Sequence, residues 1–227
     1  MNLLGKTSFF LTSMRAAIWQ GVLQQDHQLT LFINALHTPF TDELWRFFSA
    51  ATIWCLLCAA MVVWLFTKMG WKRALVAIGA CVLTFALCDQ SARLVKHGLE
   101  RLRPCWDADM LSAGLRVLEG KGGQYGFFSA HSANAMGLAI CSFLCLRSGS
   151  GRTARGYAWI AFTLAFLIGI SRIFVGKHFL GDVLAGFCAG LLLGWLSTIT
   201  VFRLLRVCQK ILPFGTMAKD RTGQRPS

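Results

Sequence analysis

The sequence predicts an all-α fold, a polytopic membrane helix bundle with five transmembrane helices plus an N-terminal interfacial or sixth helix. Composition points there first: 55% of the 227 residues are hydrophobic and only 15% charged, where an average soluble domain carries roughly 25% charged residues. Two uncharged apolar runs, residues 47–67 and 183–202, reach the roughly 20 residues that cross a bilayer. Basic residues recur in every second connection between the apolar runs, the pattern of cytoplasmic loops.

Residues 9–25 are apolar in parts but broken by Arg15, Gln20, Gln24 and Gln25, and Leu29, Leu31, Phe32, Ile33 and Leu36 alternate with polar side chains. An amphipathic helix in the membrane interface suits both segments better than a sixth span. No small-residue cleavage site follows a basic start and compact apolar core, so a cleaved signal peptide is not expected. Spans then follow at 47–67, 74–88, 132–146, 156–171 and 183–202. The middle three reach spanning length once their polar ends lie at the interface. The chain divides into an N-terminal interfacial segment 1–46, a transmembrane domain 47–206 and a polar cytoplasmic tail 207–227.

The net charge of +13 is mostly a topology signal. Lys68, Lys72 and Arg73 lie between the first two spans, Arg147, Arg152 and Arg155 between the third and fourth, and Arg203, Arg206, Lys210, Lys219, Arg221 and Arg225 after the fifth. Alternating spans put all three groups on one side, which the positive-inside rule makes cytoplasmic. No basic–aromatic interleaving speaks for nucleic acid. Of the nine cysteines, Cys55 and Cys58 form a C-x-x-C inside a span with no second pair at zinc-finger spacing. Cys81, Cys88, Cys141, Cys145 and Cys188 also lie in spans, where cysteine behaves as a small hydrophobe, and Cys105 has no evident partner. Neither a disulfide nor a metal site is expected.

A second basic set breaks the topology pattern. Lys96, Arg101, Arg103, Arg116, Lys121, Arg172 and Lys177 fall on the opposite side, at the end of the second span, in the loop 104–128 and between the fourth and fifth spans. Such residues can snorkel to headgroups, but their convergence on one end of a bundle implies an anionic ligand handled outside the cytoplasm. Lys96 and Arg103 are seven apart, so two helical turns would align them, with Pro104 ending the helix. Arginine grips phosphate bidentately and lysine as a point charge. Ser129 is placed to N-cap the third span, whose free N–H groups suit phosphate, with His131 in the first turn. Alone, His131 reads as a polar interfacial residue. His178 and Asp182, four apart, share one face of a helix.

Lys96-x6-Arg103-Pro104, Ser129-Ala130-His131 and Ser171-Arg172-x5-His178-x3-Asp182 occur in this order, separated by helices. The set resembles the type 2 phosphatidic acid phosphatase superfamily of membrane lipid phosphatases, which shares its site with vanadium haloperoxidases. The first and third motifs match K-x6-RP and SR-x5-H-x3-D completely. In the second, PSGH, Phe128 replaces the proline and Ala130 the glycine, which removes backbone freedom next to the phosphate. The resemblance runs over about residues 72–202 and makes 47–206 a catalytic domain of the PAP2/haloperoxidase type.

The resemblance implies His178 as nucleophile, forming a phosphohistidine. Asp182 would fix its tautomer, and His131 would protonate the leaving oxygen and then activate water. Lys96, Arg103, Arg172, Ser129 and the Ala130 N–H would hold the phosphoryl oxygens. No metal and no cofactor is expected. The expected partners are the bilayer and an anionic membrane lipid as substrate, with no nucleic acid; oligomeric state is not readable from the small residues 185–190. The expected location is the bacterial inner membrane, with the site facing the periplasm.

Arg101 to Trp106, Gly122 to Gly126 and Ser129 to Asn134 resemble a compact bacterial branch of the family. That favours lipid A slightly over undecaprenyl diphosphate as substrate, with phosphatidylglycerol phosphate and phosphatidic acid behind. Vanadate-dependent halide oxidation belongs to soluble members, and the spans count against it. A lipid-phosphate binding or transport protein would draw its support from the altered second motif alone. Asp89 and Arg93 read as an intramembrane pair serving helix packing. Trp106, Tyr125, Phe127 and Phe128 read as interfacial anchors that could also line the path of a lipid chain.

Overall fold

The computed structural model describes residues 3–147 and 151–211, with side chains from 17–147 and 154–206. The predicted tail thus lies mostly outside the described residues, as do the Arg152, Lys210, Lys219, Arg221 and Arg225 side chains. Eight α-helices run in the order α1 (Leu3–Ala35), α2 (Pro39–Ser49), α3 (Ala51–Met69), α4 (Trp71–Leu99), α5 (Ala108–Ser112), α6 (Ala130–Arg147), α7 (Gly151–Phe174) and α8 (Leu180–Ile211). Among the described residues there is no β-strand, only a single antiparallel bridge between Leu102 and Tyr125.

Four helices, α3, α4, α7 and α8, are long and apolar enough to cross a membrane. The expected fifth span is α6, whose first turns carry His131, Ser132 and Asn134. Enclosure explains how it tolerates them: α6 packs against α4, α7 and α8, and most of its side chains are buried. Its contact with α8 is a ladder of small residues. A Cβ on Gly194 would meet the Gly137 carbonyl oxygen at 2.5 Å, and one on Gly186 the Ser129 carbonyl at 2.6 Å. One on Gly190 would strike the Ala133 carbonyl oxygen and lie 2.9 Å from the Gly137 nitrogen. Close backbone approach of this kind is how helices associate where no hydrophobic effect drives them together. The small residues at 185–190 therefore serve packing within the chain.

The apolar run from residue 47 is shared by two helices. Phe47 to Ser49 close α2, and Ala50 is extended (φ −70°, ψ 136°) before α3 begins. Local chemistry defines α2: Thr38 and Thr41 form a reciprocal capping box and Pro39 opens the first turn, where its missing N–H costs nothing. Residues 9–25 and 29–35, read from the sequence as separate segments, belong to one continuous helix, α1, and α2 is the more amphipathic of the two. Trp45 of α2 stacks on Phe174 of α7 with ring centroids 4.3 Å apart. Gly70 takes a positive φ of 73° between α3 and α4, a conformation open to glycine at little cost.

Leu65, Ala74, Ala77, Leu146, Ala154, Tyr157, Val201 and Phe202 form one cluster. The end of α3, the start of α4, the end of α6, the start of α7 and the end of α8 therefore meet at one end of the bundle. The basic groups near Lys72, Arg147 and Arg203 share that end. Large apolar side chains such as Trp159, Val82 and Leu192 point outward, as a lipid-covered circumference requires. Asp89 and Arg93 pair at 3.4 Å on this outer surface, so they do not serve helix packing. None of the eight described cysteines forms a disulfide with another described residue.

Candidate active site

At the opposite end, the turn from α7 to α8 brings the third motif inward. Ser171, Arg172, Lys177, His178 and Asp182 are all buried. His178 precedes α8, so it does not share a helix with Asp182; the backbone instead folds it back, its N–H and that of Lys177 both donating to the Arg172 carbonyl. The pair still meets, with His178 Nδ1 at 3.3 Å from Asp182 Oδ2. Asp182 also accepts from the Phe179 N–H at 3.1 Å. Gly176 makes the turn at φ +75°, where a Cβ would strike the Arg116 carbonyl oxygen at 2.5 Å.

The second motif opens α6. Ser129 is fully buried; its Oγ accepts from Ser132 N–H at 3.4 Å and from Ser132 Oγ at 2.9 Å. Its own N–H donates to the Asp182 carbonyl at 3.0 Å, which ties the start of α6 to the start of α8. Phe128 is not an interfacial anchor: it is buried with Cys88, Ala92 and Ala133. Trp106 stays at the surface beneath the Lys121 ammonium.

The first motif is not on one helical face. The helix α4 ends at Leu99, and Glu100 caps it in the left-handed conformation (φ 48°), donating to the Lys96 carbonyl. Arg103 lies in extended chain and Pro104 opens a 3-10 turn. Backbone pairing with residues 124–126 holds this segment: Arg103 N–H donates to Gln124 O at 2.9 Å and Gly126 N–H to Arg101 O at 2.8 Å. Arg103 Nε then donates to the Tyr125 carbonyl at 3.0 Å.

These three segments converge on His178. Burial depresses its pKa well below the ordinary histidine value, and the charges of Arg103, Arg172, Lys96 and Lys177 push it the same way. The imidazole is therefore neutral at pH 7, the form with a free lone pair. His131 lies within reach of the same charges from Arg172, Lys96 and Arg103, and of His178 itself. Arg172 donates to Ser49 Oγ and sits 3.6 Å from Glu119, while its buried Nε has no partner among the described residues. Lys177 donates to the Gly120 carbonyl.

Sequence reading missed the residues that brace this site. Asp26, Thr30 and Asn34, one helical turn apart on α1, all touch the α7–α8 connection. Asn34 Nδ2 donates to the Ile173 and Phe174 carbonyls, Thr30 Oγ1 accepts from the Leu180 N–H at 3.0 Å, and Asp26 accepts from the Gly181 N–H at 2.7 Å. Arg101, noted only as one of a basic set, bridges Asp26 at 2.6 Å and Asp182 at 2.8 Å. The period-four recurrence of polar residues among Leu29, Leu31, Phe32 and Ile33 was the available clue. Among the described residues, no group of three or more His, Cys, Asp or Glu is arranged to hold a metal.

Membrane-length helices that gather cations around a neutral, carboxylate-held imidazole have the make-up of an integral membrane phosphatase. The chain belongs to the PAP2 superfamily, which it matches over residues 72–206. It is similar to the lipid A 4′-phosphatase of Porphyromonas gingivalis, 31% identical over 76% of this chain and 71% of that one. It is likewise 31% identical to the lipid A 4′-phosphatase of Bacteroides thetaiotaomicron, over 83% and 82%. Among solved structures, it resembles the transmembrane PAP2-type phosphatidylglycerolphosphate phosphatase of Bacillus subtilis with a TM-score of 0.64, at 23% identity over 93% of this chain and 98% of that one. LpxE of Aquifex aeolicus follows with a TM-score of 0.58, also at 23% identity, over 75% and 92%. The protein is a membrane-embedded lipid phosphatase.

Proposed function

We propose that the chain removes the 4′-phosphate of lipid A, an anionic lipid, at the periplasmic end of a bundle set in a bacterial inner membrane. His178 carries the chemistry: its Nδ1 is engaged by Asp182, which leaves Nε2 as the attacking nitrogen, on a ring that lies in the field of Lys96, Arg103 and Arg172. In the proposed reaction the bound phosphate offsets the surrounding cations and lets His131 hold a proton. Nε2 then attacks phosphorus, the bond to the lipid oxygen breaks, and His131 gives that oxygen its proton. Water then attacks the phosphohistidine, His131 takes a proton from it, the P–N bond breaks and inorganic phosphate leaves. Splitting the hydrolysis in two lets one imidazole replace a poor nucleophile. Ser129, the Ala130 N–H and the three cations neutralise charge on the phosphoryl oxygens, each worth roughly 3–4 kcal/mol in a water-poor site. Cations in this number supply the charge a metal would, and the proposal includes turnover in EDTA.

Residues 47–206 carry every reacting group, with Asp26, Thr30 and Asn34 of the N-terminal segment bracing them. The choice of lipid A rests on the two curated lipid A 4′-phosphatases, which this chain matches over 71% and 82% of their length. Placing the site in the periplasm rests on the basic end of the bundle lying opposite to it, by the positive-inside rule. The test is phosphate release by detergent-purified protein from lipid A and, in parallel, from undecaprenyl diphosphate, with EDTA present and His178→Ala as control. Mass analysis of the product separates loss at the 4′ position from loss at the 1 position. Turnover on lipid A that survives EDTA and disappears in His178→Ala is the expected result. Release only from undecaprenyl diphosphate would move the substrate; lipid binding without turnover would make this a binding protein.

A further inference from the structure

Asp182 is fully buried, and a lone carboxylate there would be costly without a cation. Arg101 supplies that cation, but it is shared. One terminal nitrogen reaches Asp182 Oδ1 at 2.8 Å and the other reaches Asp26 Oδ2 at 2.6 Å. The guanidinium lies over the Phe179 ring at 4.3 Å, and the same ring stacks on His27 with centroids 4.7 Å apart. Asp26 also grips the backbone next to Asp182 through the Gly181 N–H. This close approach depends on glycine, since a Cβ at residue 181 would meet Asp26 Oδ2 at 2.9 Å.

Charge balance gives the arrangement a consequence for the reaction. With Arg101 bound to Asp182 alone, one positive charge would cancel the carboxylate that orients His178. A second carboxylate on the same guanidinium draws part of that charge away. Asp182 then keeps enough negative potential to stabilise the imidazole as it becomes positive on taking the phosphoryl group. We propose that Asp26, on the N-terminal helix outside the matched family region, is a positioning residue that extends the His178–Asp182 pair through Arg101 and sets its electrostatic balance. The inference rests on the phosphohistidine reading above.

Lys96, Arg103, Arg172 and Lys177 act on His178, which also faces His131 on α6, and Arg101, Lys96 and Arg103 act on Asp182. Removing the Asp26 charge therefore makes the potential at His178 more positive. The protonated imidazole becomes less favourable, so the acid limb of the kcat/KM profile, which reports the free enzyme, moves to lower pH. The nucleophile becomes less basic at the same time, so kcat falls.

The experiment uses the full chain in detergent, with lipid A and p-nitrophenyl phosphate as substrates, and compares wild type with Asp26→Asn, Asp26→Glu, Tyr157→Phe and His178→Ala. Tyr157 bonds Ser142 at the far end of the bundle, so its variant reports destabilisation alone. Asp26→Asn is expected to lower kcat about tenfold or more, on the scale of a misplaced reacting group, with KM within about twofold and the acid limb displaced downward. Asp26→Glu recovers much of the kcat, and Tyr157→Phe lowers the unfolding temperature while keeping the wild-type profile. Unchanged kcat in Asp26→Asn overturns the proposal. So does a loss that tracks unfolding temperature with the acid limb unmoved. Full activity in His178→Ala, or no wild-type turnover on either substrate, would instead overturn the parent reading and this one with it. Turnover of p-nitrophenyl phosphate alone removes the lipid A assignment and still decides the role of Asp26.

Discussion

The cations at the site end of the bundle fall into two sets with different surroundings. Arg101 and Arg116 each face carboxylates at short range: Arg101 bridges Asp26 and Asp182, and Arg116 grips Asp42 at 2.5 and 3.1 Å. Among the described residues, Lys96, Arg103, Arg172 and Lys177 make no such close pair. Arg103 and Lys177 donate to backbone carbonyls, Arg172 has Glu119 only at 3.6 Å, and its Nε is unmatched. All six lie within one small region of the fold. On the function proposed above, cations with close carboxylate partners hold the chain together, while cations without them keep their charge for an arriving anion. Partner chemistry, more than position, separates structure from ligand binding here.

Arg101→Gln gives the largest expected effect on stability. It leaves Asp182 buried and Asp26 nearly so with no cation between them, and breaking one partner of a buried pair costs about 3–5 kcal/mol. A sharp fall in unfolding temperature in detergent is the expected reading; an unchanged one would break the distinction between the two sets. Arg172→Ala should do the opposite. Turnover is expected to fall by about 10²–10³, the usual consequence of losing one fixed donor to a developing oxyanion, with unfolding temperature held or raised. Parallel phosphate-release and unfolding measurements check this, and a large loss of stability would place Arg172 with the structural set.

Asp42→Asn tests the outermost brace and should have the smallest effect. The Arg116 guanidinium holds the Asp42 carboxyl below its ordinary value of 3.8, and the same contact raises Arg116. A depressed carboxylate contributes stability that is present above its unfolded value and lost as pH falls through its lower folded value. Wild type should therefore lose a small increment of stability on acidification below about pH 4, and Asp42→Asn should lack that increment. An activity change exceeding the stability change would sharpen the comparison differently, by linking α2 to the site through Arg116.

Much of the site was legible because its residues are rare in their setting. Arginine, histidine and aspartate between two apolar helices cannot be accounted for by membrane packing, and their spacing at Ser171, Arg172, His178 and Asp182 carried the family resemblance. The local geometry was less legible. Regular helical spacing was expected to align Lys96 with Arg103 and His178 with Asp182. In both places the helix stops or has not yet begun, at Glu100 and before Leu180. The contacts survive through backbone turns that spacing does not encode. The bracing residues Asp26, Thr30 and Asn34 looked like interruptions in a weakly apolar segment, because their partners are more than 70 residues away in the chain.

The sequence by itself determined the membrane class and the family, and it supplied the candidate reacting groups and the orientation on which the proposed function rests. Each depends on composition or short-range order, and hydrophobicity, charge bias and motif spacing are properties of the chain as written. Only the tertiary structure decided which cations are neutralised by carboxylates, that α6 can carry polar residues because three helices enclose it, and that α1 reaches the His178–Asp182 pair. Those outcomes depend on the distance between groups far apart in sequence. Electrostatic partnership and burial arise from proximity in three dimensions, which helix packing alone supplies.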